Sequence, residues 1–297
     1  MPFPALSPWK WRLRKRAREA GVARHGMDQS RSFRNHLLKT LPRQDLAVLA
    51  SASSPVRLTV GQVIEVAGRP ITEVVFPETG FVSVVARGRQ QRRIEAGFIG
   101  FEGMTGSALV LGDDRSPHES FVQVGGSAHA IPADDLRDIM RSHPQVRELF
   151  LRYVLAFMIQ TQNTILANGR ARIEERLARW LLMAHDRIER PEIPLTHELL
   201  SIMLGVRRPG VTDALHRLEG YRTIRARRGV ITIVDRERLM EIAEASYGAP
   251  EAEYARLLGE PGHLRAPAAN GLIRHVSPQP RGGTPMDERM SAPARER

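Results

Sequence analysis

In "LTHELLSIMLGVRRPGVTDALHRLE", residues 195–219, two arginines and a proline follow closely behind a glycine and open a run of apolar-periodic residues. The guanidinium groups of Arg207 and Arg208 can each donate several hydrogen bonds, in a planar fork that matches a phosphate or a base edge. Catalytic chemistry has less to stand on. The chain has no cysteine, which removes a thiol nucleophile, a disulfide framework and an iron–sulfur cluster. His118 and His129 stand isolated, and no His pair or His/carboxylate group has the spacing of metal ligands. The expectation is recognition of an anion, with no catalytic residue and no metal ligand.

The elements that must position those arginines can be read around them. Thr196 is a fair N-cap for a short helix carrying Leu199, Leu200 and Met203. Gly205 stops that helix by taking a positive φ. A second helix starts near Arg207–Pro209, where the missing N–H of proline costs nothing. Val211, Leu215 and Leu218 point inward and Gly220 closes the helix, leaving Arg208, Pro209, Thr212, Asp213 and His216 outward. This is a helix-turn-helix whose second helix stands proud of the surface. In "YRTIRARRGVITIVDRERL" two short strands flank Arg228-Gly229, a basic wing able to reach phosphates.

Upstream, residues 171–188 form an amphipathic helix with Ile173, Leu177, Trp180, Leu181, Ala184 and Ile188 on one side. Before it, a long helix runs from Pro144 to Asn168 with two apolar stripes. One passes through Val146, Phe150, Tyr153, Phe157, Thr161 and Thr164, the other through Leu151, Leu155, Met158 and Ile165. A helix apolar on two faces must cover two surfaces: its own domain and the same helix of a second chain, or else two surfaces within one subunit that bury it fully. From 56 to about 131 short Val/Ile/Phe/Thr runs are punctuated by Gly61, Gly68, Gly80, Gly88 and Gly97, which predicts an antiparallel barrel or sandwich. Residues 33–50 read as one or two short helices.

Charge is unevenly spread over the 297 residues, whose net charge is +11. Residues 170–230 hold thirteen arginines against eight acids, a focus that suits a polyanionic partner such as nucleic acid, or else a solvated basic face. Residues 1–27, with "WKWRLRKRAR", read as a basic flexible arm, a membrane-surface segment, or an over-long start preceding Met27. No apolar window is long enough for a membrane span, and the N-terminus has no secretory pattern, so the expectation is a cytoplasmic protein. The expected fold class is α+β, divided as follows: a 28–142 β-roll, a 143–169 dimerisation helix, a 170–246 winged helix-turn-helix and a largely disordered 247–297 tail.

The segment Leu195–Glu219 resembles, without a gap, the winged helix-turn-helix of the Crp/Fnr family of bacterial transcription regulators. "GQVIEVAGRPITEVVFPETGFVSVV" resembles that family's cyclic-nucleotide-binding-like β-roll, or jelly roll, and the 145–168 helix its dimerisation helix. The resemblance spans about residues 33–245. It implies a homodimer on a pseudo-palindromic double-stranded DNA site, with RNA polymerase as a further partner if the protein activates. It places Arg208, Pro209 and Asp213 toward bases, Arg208 being suited to guanine O6 and N7. Pro209 and Asp213 replace the family's commoner glutamate and arginine, which implies a different target. Pro209 offers only apolar contact. Asp213 could accept from cytosine N4 or hold Arg217 in place. Arg207, Thr212, His216, Arg227 and Arg228 read as phosphate contacts.

In the family, a glycine-glutamate pair and an Arg-Ser pair followed by alanine hold a cyclic nucleotide. Here "GFIGFEGMTGSALVLGDDRSPHES" offers Glu102, Arg115 and Ser116, with Glu102 displaced by one residue from Gly100 and Pro117 in place of the alanine. These residues suit a small anionic effector other than cyclic AMP, or an Arg115 that merely pairs with Asp113 or Asp114. Haem or a metal is a further option, for which only the isolated His118 and His129 stand in the β region. Two other function classes stay open: a β-roll metal-dependent enzyme, which would need clustered ligands, and a protein binding DNA or an anionic surface without regard to sequence.

Overall fold

The computed structural model describes residues 33–88, 93–188, 190–243 and 246–261; the expected basic arm and most of the expected tail lie outside them. The chain begins with two short helices, α1 (His36–Thr40) and α2 (Arg43–Ala52). Seven strands follow: β1 (Ser54–Leu58), β2 (Val63–Glu65), β3 (Glu73–Pro77), β4 (Phe81–Arg87), β5 (Arg93–Ile99), β6 (Glu119–Val124) and β7 (Gly126–Pro132). A one-turn helix, α3 (Ser107–Leu111), separates β5 from β6. The strands form two antiparallel sheets, ordered β1-β7-β3 and β2-β6-β4-β5. Leu58, Val75, Ala128 and Ala130 of the first pack on Val82, Val84, Ile99 and Val122 of the second.

Strand β4, "FVSVVAR", is apolar on both sides because both of its faces are covered. Side chains alternate along a strand. Val82 and Val84 face the other sheet, while Phe81 and Val85 join a cluster that continues into the C-terminal half of the chain. A one-sided strand would show polar residues at every second position.

After β7, α4 (Ala133–Ser142) leads to α5 (Pro144–Arg170), with Pro144 in its first turn. The two stripes of α5 have different fates. Val146, Phe150 and Tyr153 are buried against α1, α2 and α4, whereas Leu155, Met158, Ile165 and Leu166 lie 44–71% exposed. Next come α6 (Ile173–His185), β8 (Glu192–Pro194), α7 (His197–Leu204), α8 (Arg208–Gly220), β9 (Ile224–Arg227), β10 (Val230–Ile233) and α9 (Arg236–Ala243).

The expectation of a largely disordered 247–297 segment needs correction at its start. A further helix, α10 (Ala249–Leu258), begins behind Gly248 and buries Tyr254 and Leu258 in the same cluster as α5. The Tyr254 hydroxyl donates to the carbonyl of Glu102, and the His36 imidazole contacts the Leu258 carbonyl. Two buried anchors and a capping Glu251 suffice to order ten residues against an existing surface. Among the described residues, no helix is long and apolar enough to cross a membrane.

Candidate nucleic-acid interface

Thr196 caps α7, its hydroxyl oxygen accepting the Leu199 N–H at 3.2 Å. Gly205 ends the helix at φ +63°, and a Cβ there would stand 2.9 Å from Ile94 Cδ1 on β5. The glycine therefore serves the turn and also lets it approach the β-roll. Leu200, Met203 and Leu204 are buried on one side of α7; Val211, Ala214, Leu215 and Leu218 do the same for α8. Arg176 of α6 reaches the carbonyl of Leu204, tying the turn from below.

With that face buried, α8 presents Arg207, Arg208, Pro209, Asp213, His216 and Arg217 to solvent, with Thr212 half-buried. Arg208 Nη2 lies 2.8 Å from Glu198 Oε2, both side chains well exposed. An exposed pair of this kind is worth roughly 0–1 kcal/mol, so a stronger acceptor can displace it. The Thr212 hydroxyl is 3.2 Å from His197 Nδ1 and donates to the Arg208 carbonyl. Asp213 does not hold Arg217, because Arg217 pairs with Glu174 of α6 at 3.0 Å. Among the described residues Asp213 has no ion pair, which leaves its carboxylate available as an acceptor.

The wing is β9 and β10 paired with Val230 opposite Arg227, and Gly229 at φ +75° closes the connection. Arg225, Arg227 and Arg228 are exposed on it. Glu219 of α8 accepts the Ala226 N–H at 2.7 Å, fixing the wing to the outward helix. Sequence reading gave two strands here; the structure has three, with β8 on the other edge of β10.

The three residues expected to bind an effector have different surroundings. Glu102 is buried 85 residues in sequence from its partner: its Oε1 accepts from Arg187 Nε at 2.8 Å and Nη2 at 2.7 Å. Arg115 is exposed beside Asp114 at 3.7 Å, and its N–H donates to Asp113. Ser116 is buried and donates to the His118 carbonyl. Nearby, the buried Glu65 carboxylate takes the Gly106 N–H and the Ser120 hydroxyl, each at 2.9 Å. Burial raises the pKa of Glu65 against those hydrogen bonds. The donors in that region already serve a carboxylate of the protein itself.

Sequence reading missed the contacts between the two halves of the chain. Trp180 of α6 packs edge-on against Phe98 and Phe81, and its Nε1–H donates to buried Glu95 at 2.8 Å. Burial pushes the Glu95 carboxyl up to about 8, beyond what its bonds to Ser83 and Trp180 oppose. Within the C-terminal half, Asp186, pushed up to about 6 by burial, accepts from Arg236 at 2.6 Å and from the Tyr247 hydroxyl at 2.7 Å. The only available signal was a polar residue within an apolar strand, as at Glu95.

Residues 175–242 match the Crp-like helix-turn-helix domain family. No curated protein matches the chain. Solved structures with a similar fold include a protein from Eubacterium rectale assigned to the Crp/Fnr family of transcriptional regulators, with 17% identity over 70% of this chain and 98% of that one, TM-score 0.57. FixK2 from Bradyrhizobium japonicum aligns with 18% identity over 65% and 98%, TM-score 0.56. A Crp/Fnr-family transcriptional regulator from Thermus thermophilus aligns with 19% identity over 65% and 100%, TM-score 0.53. The chain thus joins a Crp-like helix-turn-helix domain to the overall fold of the Crp/Fnr transcriptional regulators.

Proposed function

We propose that the protein is a sequence-specific DNA-binding transcription regulator of the Crp/Fnr type that works as a homodimer. The observation that carries this is the outward face of α8. Arg207, Arg208 and Asp213 stand exposed on a helix whose opposite face is buried, next to a wing bearing Arg227 and Arg228. A helix of this diameter enters a major groove, where Arg208 can pair bidentately with a guanine. Pro209 and Asp213 contribute the remaining base contacts, and Arg207, Thr212, His216, Arg227 and Arg228 hold phosphates. The exposed stripe of Leu155, Met158 and Ile165 on α5 supports pairing with a second copy, since such a patch on one helix calls for cover. Two reading helices related by a two-fold axis require a pseudo-palindromic site. A DNA partner places the working protein in the cytoplasm, with RNA polymerase as a further partner if it activates.

The test is selection of bound duplexes from a random library by the full chain at near-physiological salt. Enrichment of a two-fold-symmetric site supports the reading. Binding that depends on salt but not on sequence would overturn it in favour of a non-specific DNA-binding protein.

A further inference from the structure

A cleft of about 980 Å³ opens between the β-roll and the DNA-reading domain, with one wall from each. On the β-roll side it is lined by Arg34 and Lys39, with Thr79 and Gly80 of the β3–β4 connection. On the other side stand His185, Arg190 and Arg236. The volume lies within the roughly 300–1,000 Å³ of small-molecule sites.

Among the described residues, the acids lining this cleft are already engaged. Glu78 accepts the backbone N–H groups of Arg34 and Asn35. Asp186 has both oxygens taken, by Arg236 and Tyr247, and Glu102 balances Arg187 from behind. His36 holds its neutral form more strongly than an exposed imidazole because burial lowers its pKa. Lys39 and Arg190 remain: both are exposed, and neither has an ion pair among the described residues. Both therefore add positive charge to the cleft they line, one from each half of the chain.

We propose that this junction binds a small polyanion bearing two or more phosphate groups, held chiefly by Lys39 and Arg190 from opposite walls. One phosphate group would satisfy one wall; a ligand with charge at two points bridges both. The alternative position inside the β-roll is disfavoured by Glu65, whose buried carboxylate already occupies the donors near Ser116. A ligand bridging the two walls favours one orientation of the reading head over others. That consequence rests on the regulator reading, whereas the binding itself does not.

The experiment is isothermal titration of the full chain at low salt with inorganic pyrophosphate and, separately, ATP. Saturable binding is expected, weakened at least tenfold in Lys39→Glu/Arg190→Glu and unchanged in Arg115→Glu. Binding of pyrophosphate alone identifies phosphate charge as sufficient. Binding of ATP without pyrophosphate identifies a nucleotide, and either supports the site. No saturable binding of either probe at millimolar concentration overturns it, as does loss in Arg115→Glu with retention in the double variant. Circular dichroism checks that both variants fold, which their exposed positions allow. Mobility shift of the wild-type chain on its selected duplex is run in parallel. Loss of DNA recognition would strike the regulator reading, and loss of probe binding only the junction site.

Discussion

Replacing Glu95 with glutamine tests whether the two halves of the chain are joined through a protonated carboxyl. The side chain is fully buried beside Trp180, and its carboxyl is pushed from 4.5 to about 8. In the unfolded chain it returns to the ordinary value, so between those limits the native state holds a proton that the unfolded state does not. Stability is then full below about pH 4.5 and is lost as pH rises toward 8, by about 1.4 kcal/mol per pH unit. Glutamine keeps an oxygen for the Trp180 N–H and has no proton to lose. Between pH 5.5 and 7.5 wild type should therefore lose about 2–3 kcal/mol relative to Glu95→Gln. The difference cancels other titrating groups such as Asp186. Urea unfolding followed by tryptophan emission, in a background lacking Trp9 and Trp11, reads the transition at Trp180 itself. Parallel stability profiles for the two proteins would refute the reasoning, because Glu95 would then not be carrying the proton.

Arg208→Ala should relax preference at one base position of each half-site, costing roughly 1–3 kcal/mol for the preferred base and little for others; competition binding with single-base variants checks this. Arg187→Ala leaves Glu102 buried without its cation, a loss of about 3–5 kcal/mol, and adding Glu102→Gln should recover part of it in a denaturant titration. Ile165→Glu places a charge on the 71%-exposed apolar stripe of α5 and should shift sedimentation toward monomer without lowering the melting temperature of the single chain. Gly205→Ala should cost about 1–2 kcal/mol, because its φ is +63° and its Cβ would crowd Ile94; thermal unfolding measures it.

The parts legible in the sequence were those set by neighbours along the chain. Thr196 and Gly205 mark the ends of α7 because capping and positive φ are local effects. The burial of Val211, Leu215 and Leu218 followed from helical spacing, which also left Arg208 and Asp213 outward. What escaped depends on distant partners. Arg217 finds Glu174, 43 residues away, instead of Asp213 one turn earlier. Glu102 finds Arg187, 85 residues away, so a residue read as a ligand contact is bound to another part of the chain. β8 is only three residues, too few to display alternation, and forms because β10 offers it an edge. The helix α10, APEAEYARLL, has large apolar residues only at Tyr254, Leu257 and Leu258, and becomes a helix against α5.

Phe81 and Phe98 on one side and Trp180 on the other belong to a single apolar cluster that also holds Leu200, Val211 and Leu218. The core of the winged helix-turn-helix therefore continues without a break onto β4 and β5. A fragment starting near residue 171 would carry Trp180 into water and leave the hollow it fills on β4 and β5 open. Grafting this domain onto another β-roll would expose Trp180 unless those two phenylalanines went with it. Limited proteolysis should, by the same logic, nick loops without liberating an independently folding module.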